Sequence, residues 1–145
     1  QLMQPADLRV VASSIQVLAD GHGWEGWHTM PQERDRLFAL IRATRANGVV
    51  LISGDRHLGA IYTRDDLLDY PIWEFTSSSL NAPLPAYVAE RVEPGPHRLG
   101  PPLYSTNYGL IDIDWDAGTV SVTVVDDQDR VARGKVLWLQ DLTFR

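Results

Sequence analysis

Residues 31–57 read PQERDRLFALIRATRANGVVLISGDRH, and the change of period inside this stretch decides the fold. From Pro31 to Asn47 the pattern is helical. Pro31 occupies a first-turn position where a missing N–H costs nothing, and Leu37, Phe38, Leu40 and Ile41 recur on one face. Glu33 and Asp35 lie near the start and Arg42 and Arg45 near the end, as the helix dipole prefers. Asn47-Gly48 supplies a stop. Val49 to Ser53 is then a continuous apolar run, the signature of a strand buried on both faces.

Upstream, LRVVASSIQVL (residues 8–18) is apolar and β-branched and predicts an earlier strand from Leu8 to Leu18. The following ADGHGWEGWHT (residues 19–29) has the Gly content of a loop. Strand, loop, amphipathic helix, strand is a β-α-β unit, which predicts an α/β fold with a largely parallel sheet. Downstream, YPIWEFTSSS predicts a further strand near Ile72 to Thr76, and the Pro- and Gly-rich residues 81–106 read as a long loop. Residues 108–139 change character. They alternate apolar and polar side chains, with turn signals at Asp116-Ala117-Gly118 and around Asp126 to Asp129, and predict a three-stranded antiparallel meander.

The chain is 145 residues long, 44% hydrophobic and 22% charged, which suits one globular domain with a real core. A formal net charge of −6 weighs against nucleic acid or an anionic membrane as partner. There is no cysteine, hence no disulfide framework or thiolate chemistry. No apolar run approaches the roughly 18 residues of a membrane span. The opening QLMQPADL has no initiating Met and no signal-peptide pattern; Gln1 to Met3 read as the tail of an earlier helix, and the chain as a piece of something longer.

Chemistry concentrates at Gly54-Asp55-Arg56-His57, directly after the apolar strand. Open α/β sheets bind ligands beyond the carboxyl ends of their strands. A carboxylate and an imidazole two residues apart can serve as metal ligands or as an acid–base pair. The spacing equally fits a turn whose Asp caps the next segment and whose His is incidental, and the residues alone leave both readings open. Asp20-Gly21-His22 has the same form, but Asp-Gly is a turn dipeptide and the segment reads as loop. His28 and His97 read as surface residues, and Trp24 and Trp27 as anchors of their loop to the body. Asp112, Asp114 and Asp116 imitate a calcium loop, yet Ala117 and Thr123 stand where an EF-hand needs Gly and Glu. A strand explains them better, with Ile111, Ile113 and Trp115 facing one way and the aspartates facing solvent. Ser77 to Ser79 lack a G-x-S-x-G elbow, and no phosphate-binding glycine loop occurs.

Taken in order, RVVASSIQV, the Trp-containing loop, PQERDRLFALI, VVLISGDRH, PIWEFTSSSLN and NYGLIDID resemble the C-terminal half of PhoD-like alkaline phosphatases, members of the calcineurin-like metallophosphoesterase superfamily. The resemblance runs over nearly the whole chain and is most specific at SGDRH, at ER before the helix and at EFTSSSLN. It implies a sandwich of two β-sheets flanked by helices, with iron and calcium at the strand ends and a phosphate mono- or diester as substrate. The family's G-D-x-H falls on Gly54, Asp55 and His57. By that resemblance Asp55 is a metal ligand, and His57 is a metal ligand or a catalytic group facing the phosphate. The family's N-terminal metal motifs have no counterpart here, and Asp20-x-His22 cannot stand in for them because no G-D-x-x-D follows. Residues 1–145 are therefore expected to form the C-terminal part of a metallophosphatase domain, inactive as an isolated chain. The resemblance also implies an extracytoplasmic location. The contrasting expectation is a non-catalytic domain that binds a protein partner through its exposed sheet edge or Trp loop, or self-associates through unpaired sheet edges and apolar faces.

Overall fold

The computed structural model describes residues 1–85, 87–88 and 95–145. Its first sheet holds four strands in the spatial order Arg9–Ala12, Val49–Ser53, Ile72–Ser77, Gly59–Arg64, and its second holds three in the order Asn107–Asp114, Thr119–Asp126, Val131–Trp138. Strands β1 (Arg9–Ala12), β2 (Val49–Ser53) and β4 (Ile72–Ser77) are parallel, and β3 (Gly59–Arg64) runs antiparallel to β4. The helix α1 (Pro31–Thr44) connects β1 to β2. Strands β5 (Asn107–Asp114), β6 (Thr119–Asp126) and β7 (Val131–Trp138) form the expected antiparallel meander. The two sheets share one core: Val120, Val122 and Leu137 of the meander cluster with Leu51, Ile61 and Phe75 of the first sheet. The α/β class and the two-sheet arrangement thus follow the expectation.

Helix α1 buries Phe38 and Ile41, each worth about 1.5–3 kcal/mol of removal from water. Leu40, expected on the same face, is 52% exposed. The helix stops before Asn47-Gly48: Arg45 takes the left-handed conformation as C-cap, and the Ala46 N–H returns to the Ile41 carbonyl. Gly48 has a different duty. Its φ is +66°, and a Cβ there would sit 2.1 Å from the Asp7 carbonyl oxygen, so only Gly lets the entry to β1 lie against β2.

The first strand is shorter than expected. It ends at Ala12, and residues 13–19 are a loop, buried from Gln16 to Ala19, in which two amides find a partner off the sheet: Val17 and Leu18 N–H donate to the two oxygens of Glu74 at 2.7 and 2.6 Å. Residues 1–4 make a turn, with Gln4 N–H on the Gln1 carbonyl, where a helix tail was expected. Strand β3 was not anticipated. Gly59 to Tyr62 are buried, so no alternation marks them. Part of the expected 81–106 loop is ordered along the outer edge of β3: Thr63 N–H donates to His97 O, Leu99 N–H to Ile61 O, and Gly59 and Leu103 exchange both bonds. Residues 86 and 89–94 of that loop lie outside the described residues.

Candidate functional site

Beyond the carboxyl end of β2, Asp55 and His57 both adopt left-handed backbone angles, with φ of 70° and 54°. Such angles in non-glycine residues persist only where the surroundings fix them. Here the far end of the loop is fixed by three bonds. Leu84 N–H donates to His57 O at 2.8 Å, Ser78 N–H to Leu58 O at 3.2 Å, and the His57 ring meets the Ala82 carbonyl through Nδ1 at 2.5 Å. A carbonyl only accepts, so Nδ1 carries the proton and Nε2 is the ring nitrogen left for another partner. This is the orientation of a metal-ligating imidazole, whose other nitrogen is held by a backbone carbonyl. Asp55 and His57 are exposed while Arg56 between them is buried. A cleft of about 320 Å³ opens beside Gly54, between the two sheets. Ser13, Ser14 and Ser77 lie on it together with Ile52, Phe75 and Val124.

The second triplet is a different object. Asp20 accepts from Arg34 at 2.7 Å and from Arg64 at 3.4 Å, and lies 3.5 Å from His97 Nε2. Arg64 in turn is paired with Asp66, whose carboxyl that guanidinium holds down at about 2. His22 is buried and packs edge-on against His28, the ring centroids 4.6 Å apart. Neither His28 nor His97 is a plain surface residue, because each is half-buried against a partner of the Asp20–His22 segment. Trp27 anchors its loop, Nε1 donating to Ser13 Oγ at 3.0 Å, whereas Trp24 is 54% exposed and anchors nothing.

The remaining candidates are structural. Asp114 caps its hairpin by accepting the Ala117 N–H at 2.8 Å. Trp115 lies beyond the end of β5 and is exposed, unlike the half-buried Ile111 and Ile113. Asp126 closes the next hairpin by accepting Gln128 and Arg130 N–H. Ser77 donates to Asn107 Oδ1 and Ser78 to Leu58 O. Sequence reasoning gave no role to Glu74, which is fully buried. Burial pushes its carboxyl above the usual range, against the backbone N–H groups of Val17, Leu18 and Ala19 and the Ser53 hydroxyl. An acid inside the apolar run IWEF was the available signal.

The donor set of one carboxylate and one imidazole fits a cation that accepts both oxygen and nitrogen. It is incomplete, since iron, zinc or calcium takes four to eight ligands. Among the described residues no group of three or more His, Cys, Asp or Glu is placed to hold a metal ion.

Comparison with known proteins agrees with the fold. The family model for PhoD-like phosphatase matches residues 8–122, from the entry of β1 into β6. A solved structure of PhoD superposes with a TM-score of 0.60 over 92% of this chain at 16% identity, a likeness of fold. This chain spans 28% of the length of that PhoD chain. No curated protein sequence matches.

Proposed function

This chain belongs to the PhoD-like phosphatase family, and on that premise we propose that it forms the C-terminal portion of a metal-dependent phosphoric ester hydrolase. Asp55 and His57 are two members of its metal-facing set, and the other ligands come from sequence outside residues 1–145. The observation that carries this reading is the His57 ring, fixed through Nδ1 on Ala82 O so that Nε2 is left for a cation or a phosphoryl oxygen. Asp55 supplies the hard oxygen donor that iron or calcium favours. When bound, such cations polarise the phosphoryl oxygen and activate the attacking water. Residues 1–145 alone then hydrolyse nothing, and an extracytoplasmic setting suits the family resemblance. No helix among the described residues is long and apolar enough to cross a membrane.

The test uses the native product that carries this sequence, its length read from its intact mass. Phosphate release from a phosphomonoester and a phosphodiester is compared for the unaltered protein, Asp55→Asn and Asp20→Asn. Loss in Asp55→Asn alone supports the assignment; full activity in Asp55→Asn ends it.

A second reading, a non-catalytic domain that self-associates, draws on the outer face of the meander. There Leu110 of β5 and Val136 and Trp138 of β7 are each about half exposed. Sedimentation velocity over a hundredfold concentration range distinguishes it, and a monomer throughout rules it out.

A further inference from the structure

The segment that holds His57 reads Asn81-Ala82-Pro83-Leu84-Pro85, and residues 82–85 belong to neither helix nor strand. It meets His57 twice. The His57 ring donates through Nδ1 to the Ala82 carbonyl at 2.5 Å, and the His57 carbonyl accepts the Leu84 N–H at 2.8 Å. The residue between these two partners, Pro83, is exposed. An exposed ring stabilises little by burial, and proline has no N–H to donate. What Pro83 supplies is conformation.

An extended chain presents the two partner groups together. In it the carbonyl of one residue and the N–H of the residue two further on face the same side, while the residue between them faces the other. A helical turn at Ala82 or Leu84 would carry one of the groups away from His57. The sequence disfavours that turn at both places: Ala82 precedes Pro83 and Leu84 precedes Pro85, and a residue before proline is pushed out of the helical region. The missing N–H of Pro83 falls on the side facing away from His57, where no bond needs it. Two prolines one residue apart thus shape the clasp before His57 enters it, and little freedom is left to lose on closing.

The ring has an alternative close at hand. His57 is exposed, and a neutral histidine free in water favours the proton on Nε2. The Ala82 carbonyl reverses that preference, because it only accepts and so draws the proton to Nδ1. We infer that Pro83 is a positioning residue for His57, acting through the Ala82 carbonyl and the Leu84 N–H to keep the ring in the tautomer whose Nε2 lone pair is free. The inference deepens the reading of His57 as a group facing metal or phosphate and rests on it for the catalytic consequence; the two bonds of the clasp are independent of it.

The experiment reads the His57 tautomer by ¹⁵N NMR in the native product labelled with ¹⁵N-histidine. EDTA treatment ensures that no ion fixes the ring from Nε2, and the pH is set where the ring is neutral. Hydrolysis does not enter, so failure here is separable from failure of the phosphatase reading. The unaltered protein is compared with Pro83→Gly, Pro83→Ala and Pro101→Gly, the last at an exposed proline outside the clasp. The unaltered protein is expected to hold His57 as the Nδ1–H tautomer. In Pro83→Gly the ratio of Nδ1–H to Nε2–H is expected to fall about fivefold, the scale on which proline restricts an unbonded chain. Pro83→Ala is expected to lie between, and decides should the glycine variant fail to fold; Pro101→Gly is expected to change nothing. Should the EDTA-treated product unfold, exchange of the Leu84 N–H in the untreated product reads the same clasp, quickened by a similar factor in the Pro83 variants alone. An Nε2–H ring in the unaltered protein, an unchanged ratio in the folded Pro83 variants, or an equal shift in Pro101→Gly overturns the inference.

Discussion

The chain spells Asp-x-His twice in loops of the same α/β layer, and the two copies have opposite fates. At 20–22 the carboxylate is occupied by Arg34, Arg64 and His97, and the imidazole is buried against another ring. At 55–57 the carboxylate is exposed and the imidazole is tethered by one nitrogen only. The first triplet ties α1, β3 and the strap beside β3 together; the second leaves its carboxylate exposed and its ring held through Nδ1 alone. A motif acquires chemistry from what its neighbours leave unused.

The largest effect should separate the two in hydrolysis. His57→Ala or Asp55→Asn should reduce phosphate release by at least the roughly 10–100-fold that even outer partners of a metal ligand cost. Asp20→Asn, assayed under the same folding conditions, should stay near the unaltered rate.

Urea denaturation should invert that order. Asp20→Asn leaves Arg34 without its charged acceptor, while Arg64 keeps Asp66, and is expected to lose about 1–3 kcal/mol. Asp55→Gly relieves a left-handed residue and is expected to gain up to about 1 kcal/mol. A destabilised Asp55→Gly would mean that its side chain is a structural partner after all, and would erase the contrast.

Two carboxyls sharpen the comparison through pH. Burial raises Glu74, so its contribution to stability is fully present below its ordinary value of 4.5 and fades as pH rises through the raised value. The Asp66 carboxyl, held at about 2 by Arg64, works the other way: its contribution is present above 3.8 and is lost as pH falls from there toward 2. Denaturation midpoints across pH 3–8 should therefore show, in Glu74→Gln, loss of the component that declines with rising pH. In Asp66→Asn the acid-side loss should shrink instead.

The smallest single effect falls at one of the two tryptophans of the loop that follows β1. Trp27→Ala removes a half-buried ring and its bond to Ser13 and should cost about 2 kcal/mol, below the full-core range. Trp24→Ala, at an exposed ring, should fall within about 0.5 kcal/mol. Equal losses would put Trp24 in a contact that the fold does not provide.

Most of the fold was legible where a period could be counted: the Phe38–Ile41 stripe of α1, the apolar β2, and the alternation of β5 to β7. It was illegible where burial had no period. Gly59 to Tyr62 are covered on both faces, and residues 15–19 look like the end of a strand because Ile15, Val17, Leu18 and Ala19 are apolar, although the Val17 and Leu18 amides are satisfied by a carboxylate 57 and 56 residues away. The site was half legible. Gly54, Asp55 and His57 could be picked out from their place after a strand, and set above Asp20 and His22 by the Asp-Gly turn, but the partners that make the difference could not. That difference depends on Arg34 and Arg64, 14 and 44 residues from Asp20, and on Ala82, 25 residues from His57.

The metal content of the native product, measured by inductively coupled plasma mass spectrometry for the unaltered protein, Asp55→Asn and Asp20→Asn, tests the contrast most directly. The account predicts that Asp55→Asn loses bound metal while Asp20→Asn keeps it. Full metal content in Asp55→Asn, or its loss in a folded Asp20→Asn, would contradict it.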